Sequence, residues 1–129
     1  MVAVDTNVVV RLLTGDDPVQ AARARAIFER DSVLLAKTVM LESEWVLRQL
    51  YRFRADRIAE AFAALIALPD VACEDPAAVA DAIRWMRGGM DFADALHLAS
   101  SRPAGRFASF DAALVRRAAK IADIKIVRP

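Results

Sequence analysis

The sequence predicts an α/β fold with a mainly parallel central β-sheet flanked by helices, in one domain that spans residues 1–129. Short β-branched apolar runs alternate along the chain with longer segments in which apolar residues recur at helical spacing. That alternation is typical of parallel strands joined by crossover helices. A chain of 129 residues is long enough to bury one core and too short for two.

In the first half of the chain, short apolar runs predict strands and the segments between them predict helices. Residues 1–4 are apolar and β-branched, and the good N-cap residues that follow predict a helix as far as residue 13. Pro18 opens the next helix, because proline is favoured in the first helical turn. Further strands are predicted at 32–36 and 71–73, and further helices at 18–30, 38–53 and 56–68.

The second half continues the alternation. Gly88 and Gly89 end a helix that begins near Pro76. Asp111 is a good N-cap for a helix that runs to residue 120. Helices are also predicted at 76–86 and 91–101, and strands at 106–110 and 124–127.

Composition excludes several classes of protein. Apolar residues make up 57% of the chain, which argues against disorder, and the longest apolar run, 61–68, is far short of the ~20 residues that cross a bilayer. The N-terminus lacks a signal-peptide pattern, and Cys73 has no partner for a disulfide, so a cytoplasmic protein is expected. The net charge of +1 does not by itself indicate a nucleic-acid binder.

Carboxylates stand beside apolar runs in four separate segments: Asp5, Glu42, the pair Asp91 and Asp94, and Asp111. Converging carboxylates in a folded core require a cation to neutralise them, and Mg²⁺ prefers oxygen ligands. Asp5 and Asp111 each follow a predicted strand, at the edge where sites form in parallel sheets. The pattern therefore indicates metal-assisted chemistry on a phosphate ester, most plausibly in a nucleic acid.

Each acid also has a purely structural interpretation. Asp5 and Asp111 are suitable helix N-caps, and Asp91 and Asp94 lie in a first helical turn, where the helix dipole stabilises acids. Thr6 and Asn7 add groups that can orient a ligand carboxylate. In the helix at 38–53, Glu42 lies one turn before Trp45 and is expected to face inward, whereas Glu44 is expected on the surface.

Other residues favour ordinary structural roles. His97 is expected to be a packed or hydrogen-bonded helix residue, since no second histidine exists to build a zinc site. Trp45 and Trp85 are expected in the core, Cys73 as a small buried residue, and the Arg84 and Arg87 pair on a solvated helix face.

The four acidic segments together resemble those of PIN-domain ribonucleases, and in particular the VapC-type toxins of type II toxin–antitoxin systems. The motifs that carry the resemblance run from end to end: Val4-Asp5-Thr6-Asn7-Val8, Leu41-Glu42-Ser43-Glu44-Trp45-Val46-Leu47, Asp91-Phe92-Ala93-Asp94-Ala95-Leu96-His97, and Ser109-Phe110-Asp111. The first and third are the specific ones. Ser109 stands where threonine is commoner in the family.

The resemblance implies a single PIN-like domain that is a Mg²⁺- or Mn²⁺-dependent endoribonuclease. Its catalytic and metal-binding acids would be Asp5, Glu42, Asp94 and Asp111, with Asp91 as an accessory ligand and Thr6, Asn7 and Ser109 as supporting residues. The fourth acid, Asp111, varies most in the family. The implied partners are an RNA substrate, a VapB-like antitoxin and a second copy of the chain, with the dimer interface in the apolar helices at 38–68.

Three alternatives remain open at this stage. A PIN fold could act as a binding module without activity, although four retained acids argue against that. A metal-dependent nuclease acting on DNA differs only in its substrate. A phosphorylation-controlled receiver domain also places acids at strand ends, but it requires adjacent acids after the first strand, where this chain has Asp5-Thr6-Asn7.

Overall fold

The structure is a computed structural model that describes residues 1–121 and 123–129, and it confirms an α/β fold. Two compact units divide the chain, residues 1–76 and residues 77–129. The strands of each unit pair in parallel, as the alternating sequence pattern predicts. Among the described residues, no helix combines the length and the apolar character that crossing a membrane requires.

The first unit holds a three-stranded parallel sheet in the order β1-β2-β3. Val33 in the central strand pairs with Val2 on one side and Val71 on the other, and it is fully buried. The elements of this unit are β1 (Val2–Ala3), α1 (Thr6–Thr14), α2 (Pro18–Arg30), β2 (Val33–Leu35), α3 (Lys37–Gln49), α4 (Ala55–Ile66) and β3 (Val71–Cys73). Its core is built from apolar side chains of the helices and the central strand, including Val9, Val10, Leu35, Met40, Leu47, Ile58 and Phe62.

The second unit follows β3. Its elements are α5 (Pro76–Arg87), α6 (Phe92–Ser100), a 3₁₀ turn (Arg102–Ala104), β4 (Arg106–Ala108), α7 (Ala112–Ala118) and β5 (Lys125–Val127). β4 and β5 pair in parallel, with Phe107 opposite Ile126. Phe92 and Leu98 of α6 and Val79 of α5 are among its most buried side chains.

Helix α3 ends earlier than the sequence suggests. It was predicted to reach residue 53 and stops at Gln49, because the chain turns into the left-handed region at Arg52, where φ is +58°. The N–H of Phe53 donates to the carbonyl of Leu47 across this turn and closes the end of the helix. Glycine usually occupies such a position, so an arginine there gives no signal in the sequence.

Three side-chain predictions in α3 are wrong. Glu44, expected on the surface, is 2% exposed, and Trp45, expected in the core, is 52% exposed. Glu42, expected to face inward, is exposed. The buried face of this helix runs through Met40, Ser43, Glu44 and Leu47, at the i, i+3, i+4, i+7 spacing of one helical stripe. The competing stripe through Trp45 faces outward. In α5, Trp85 is buried, as predicted.

Candidate functional site

In the first unit, Asp5, Thr6 and Glu42 form one hydrogen-bonded group. Asp5 follows directly on the buried Val4 at the end of the β1 segment and caps α1, with its Oδ1 accepting the N–H of Thr6 at 2.8 Å. The Oγ1 hydroxyl of Thr6 donates to Oε1 of Glu42 on α3 at 2.5 Å. Thr6 is only 5% exposed, so this bond fixes Glu42 from within the protein, whereas the carboxyls of Asp5 and Glu42 belong to exposed residues.

Each of the two acids in this group has one carboxylate oxygen that can still bind a ligand. Among the described residues, none donates a hydrogen bond to Oδ2 of Asp5 or to Oε2 of Glu42. The predicted supporting residue Thr6 therefore makes the contact that orienting a ligand carboxylate requires. Asn7, the other predicted supporting residue here, is exposed and lies on the wall of a groove between α1 and α2.

Glu44 does not belong to this group. Its carboxylate accepts the Nε–H of Arg48 one turn later on α3 at 2.8 Å, with 3% of the Glu44 side chain exposed. A nearly buried carboxylate paired within its own helix is a structural ion pair. Of the two acids in this motif, Glu42 is exposed and Glu44 is paired with Arg48. The helical-face argument for Glu42 therefore assumed an incorrect orientation of α3.

In the second unit, Asp91, Asp94 and Asp111 are electrostatically coupled. Asp91 caps α6, with its Oδ2 accepting the N–H of Asp94 at 3.1 Å. The pKa of Asp94 is raised above its ordinary value, first by partial burial and then by the negative charges of Asp91 and Asp111, while His97 acts in the opposite direction. Asp91, Asp94 and Asp111 therefore form an anionic cluster, in the sense that the three carboxylates lie within electrostatic range of one another.

Asp111 is held at the start of α7. Its Oδ1 accepts the backbone N–H groups of Ala113 at 2.9 Å and Leu114 at 3.2 Å, so one oxygen serves the whole cap. The predicted supporting residue Ser109 lies in the same turn, where its Oγ accepts the N–H of Asp111 at 3.0 Å. Within the residues described, Oδ2 of Asp111 accepts no hydrogen bond, which leaves it available to a ligand.

The chemistry of these side chains suits a hard divalent ion. The donors are carboxylate oxygens, which Mg²⁺ and Mn²⁺ prefer, and a cation would relieve the repulsion that raises the pKa of Asp94. Outside residue 122, no three His, Cys, Asp or Glu side chains lie close enough together to form a preassembled metal site. The metal-ligand set thus stays a prediction, as do the roles of Asp5, Glu42, Asp91, Asp94 and Asp111.

A basic pocket of about 450 Å³ in the second unit was not predicted. The pocket is lined by residues of α5 and its following loop and by residues of α7 and the turn after it, namely Arg84, Trp85, Gly88, Met90, Arg117, Lys120 and Ile121. Arg84 is exposed, as the prediction of a solvated helix face requires, and the sequence gives no reason to single out Arg117 and Lys120. Their i, i+3 spacing after Asp111 is visible in the sequence, but it is also common on ordinary helix surfaces.

Known proteins to which the chain is similar include a solved toxin structure and a protein family. The solved structure of VapC20 from Mycobacterium tuberculosis, a toxin that cleaves the sarcin-ricin loop, aligns with 100% of both chains at 22% identity and a TM-score of 0.46. A likeness at this level does not bear on the activity of the present chain. No curated protein matches the sequence at a significant level. The family model described as PIN domain matches residues 2–121, and the chain therefore belongs to the PIN domain family.

Proposed function

We propose that this PIN-domain protein is an endoribonuclease that hydrolyses RNA phosphodiester bonds with Mg²⁺ or Mn²⁺. The observation that carries the proposal is the anionic cluster around Asp94, whose pKa is raised by burial and by Asp91 and Asp111. Clustered carboxylates with a raised pKa are typical of functional sites. Cys73 in β3 is a poor alternative nucleophile, because burial raises the pKa of its thiol to about 11 and keeps it protonated at neutral pH.

In this proposal Asp5, Glu42, Asp94 and Asp111 hold the ion, with Asp91 as an accessory ligand. When bound, a divalent ion supplies positive charge that polarises the scissile phosphate and lowers the pKa of a water molecule. Asp94 has the greatest need of that charge, because its ionised form is opposed by burial and by its neighbours. Its loss is therefore expected to be the most damaging of the four.

The remaining groups orient these acids. The Thr6 hydroxyl holds one oxygen of Glu42 and directs the other away from the bond. Ser109 fixes the turn from which Asp111 caps α7. Asn7 is exposed on α1, and its proposed role is to orient a ligand acid through its side-chain amide. These residues are positioning residues in the proposed mechanism.

We further assign the protein to the VapC-like toxins, which act in the cytoplasm and are neutralised by a VapB-like antitoxin. The four sequence motifs support this assignment. An antitoxin segment with a cationic side chain would compete with the metal for the carboxylates. A homodimer is supported by large apolar side chains left exposed in and after α3 and α4, namely Trp45 at 52%, Leu50 at 67% and Leu68 at 44%.

The test is cleavage of total RNA by the purified full-length chain, freed of any antitoxin. Cleavage with Mg²⁺ or Mn²⁺ should give discrete products that disappear with chelator. Asp94→Asn should lower the rate by more than about 100-fold, since even changes to residues that support metal ligands cost about 10–100-fold. Asp56→Asn is the matched control, because this exposed acid at the start of α4 lies outside the predicted set.

The remaining outcomes separate the alternatives. Products that survive Asp94→Asn would contradict the site assignment. Faster cleavage of single-stranded DNA than of RNA of the same sequence would replace RNA by DNA as the substrate. A chain that binds Mn²⁺ but cleaves neither nucleic acid would instead be a binding module.

A further inference from the structure

Most of the cationic side chains that line the basic pocket of the second unit form no salt bridge with a described residue. An adjoining hollow shares Arg117 and Lys120 and adds Arg116, and neither lining includes an acid among the residues the structure describes. Arg84 is partly neutralised, because its guanidinium lies 2.6 Å from Oδ1 of Asp81. Within the described chain, Arg116, Arg117 and Lys120 form no salt bridge. The chain as a whole carries only +1, so this is a local separation of charge.

The guanidinium of Arg117 is seated against the loop after α5. At Gly89, φ is +104°, and a Cβ added there would lie 2.7 Å from Nη1 of Arg117. Only glycine can adopt this backbone and leave that space. Trp85 and Met90, which are 6% and 5% exposed, supply an apolar wall beside the cations. A cationic rim on an apolar wall suits a nucleotide, whose phosphate is charged and whose base presents a flat π-face for stacking.

The pocket is built from the same two segments as the anionic cluster. Met90 lines the pocket and the next residue, Asp91, caps α6, while Arg117 lies six residues after Asp111 on α7. At 1.5 Å per residue, that separation along the helix is about 9 Å. Nucleotides stacked along one strand advance by about 3.4 Å each, so about two to three nucleotides span the same length.

From this juxtaposition we infer that the basic pocket binds the RNA backbone two to three nucleotides from the phosphate that is cleaved. Arginine matches a phosphate group with its planar fork, and lysine adds a second point charge. An acidic protein segment is the less suitable occupant, because it offers no flat base to stack on the apolar wall formed by Trp85 and Met90. The inference rests on the proposed ribonuclease function, for which it supplies a binding subsite.

The test measures binding without cleavage. All variants carry Asp94→Asn and are kept in chelator, and the affinity for a fluorescent single-stranded RNA is measured by anisotropy over a series of salt concentrations. The pocket variant is Arg117→Gln with Lys120→Gln. The control is Arg106→Gln with Lys125→Gln, which removes the same charges from two exposed residues paired across β4 and β5.

Loss of two phosphate contacts should reduce the slope of log K against log salt by about 1.4, at about 0.7 per contact with single-stranded nucleic acid. The control should leave the slope unchanged. Equal slopes in the pocket and control variants would overturn the inference. Unfolding midpoints equal to that of the parent establish that each variant is folded, and if the double variant does not fold, Lys120→Gln alone should reduce the slope by about 0.7.

Two further results distinguish the possibilities. If polyglutamate, and not RNA, loses affinity in the pocket variant, the pocket binds an acidic protein segment and the RNA inference is wrong. If the unmodified chain cleaves RNA but the slope of the pocket variant is unchanged, the inference about the pocket is wrong and the proposed ribonuclease function stands. A pocket-dependent slope in a chain that cleaves no RNA would support the pocket and contradict the ribonuclease proposal.

Discussion

Asp111 has two roles that substitution can separate, because it caps α7 with one oxygen and is predicted to bind a metal with the other. Asp111→Asn retains a good cap and removes the negative charge, whereas Asp111→Ala removes both. We therefore expect Asp111→Asn to lose cleavage activity at nearly unchanged stability. Asp111→Ala should lose activity and stability together.

The size of the stability change follows from the two bonds to the cap. Oδ1 accepts N–H groups at 2.9 and 3.2 Å, and alanine at an N-cap costs about 0.5–2 kcal/mol, so two lost bonds place the expected cost near 1–2 kcal/mol. An unfolding entropy of about 2.1 cal/mol/K per residue gives roughly 0.27 kcal/mol/K for 129 residues. The midpoint should therefore fall by about 4–7 °C for alanine and by less than about 2 °C for asparagine.

Thermal unfolding in chelator and RNA cleavage in Mn²⁺ measure the two roles independently. Asp17 provides the control, since it caps α2 by accepting the N–H of Gln20 at 3.1 Å and is not among the predicted site residues. Asp17→Ala should lower the midpoint without affecting cleavage. Full activity in Asp111→Asn would show that the charge is not needed, and an unchanged midpoint in Asp111→Ala would refute the argument from the cap.

Three other predictions concern buried or coupled polar groups. Ser43→Ala should leave stability unchanged or raise it by up to about 1 kcal/mol in denaturant unfolding, because the Ser43 hydroxyl is buried without a hydrogen-bond partner among the described residues. Arg48→Met should lower the free energy of unfolding by about 1–3 kcal/mol in the same assay, since it removes the cation that lies 2.8 Å from buried Glu44. An unchanged free energy of unfolding would show that Glu44 does not need this cation. The folded chain holds the proton of Asp94 more tightly than the unfolded chain, so without metal the parent should lose stability as the pH rises from near 4 through the raised pKa. Asp94→Asn should escape that loss and be more stable than the parent at neutral pH by roughly 0.2–0.5 kcal/mol per like-charged neighbour. Urea unfolding of both chains at a series of pH values measures this difference. A parent that is more stable than the variant at neutral pH would contradict the coupling.

The sequence predicts helices and strands best where residues at their ends determine where they begin or stop. Pro18 opens α2 and β3 is a bounded apolar run, and both elements lie where predicted, at Pro18–Arg30 and Val71–Cys73. The end of α3 was missed because a left-handed arginine at position 52 closes it in place of glycine. Such a cap depends on the fold around it and leaves no local mark.

The orientation of α3 was missed for a different reason. Two apolar stripes compete on this helix, one through Leu41 and Trp45 and one through Met40 and Leu47, and propensity does not decide between them. The second stripe is the buried one, and it carries Glu44 inward to a partner on its own helix. Two arguments selected Glu42: the helical face, which used the wrong stripe, and the register of the family motif. The hydrogen bond from Thr6 to Glu42 depends on neither argument.

The structural and functional interpretations of the acids are not alternatives. Asp5, Asp91 and Asp111 each cap a helix, and each does so through a single oxygen. A cap fixes the rotamer of its side chain, because the accepting oxygen must remain near the first N–H groups of the helix. The second oxygen is then held in a defined direction before any ligand arrives, which is the preorganisation that binding and catalysis require. Capping is therefore a means of positioning these acids, and the sequence signature of an N-cap cannot count against their proposed role.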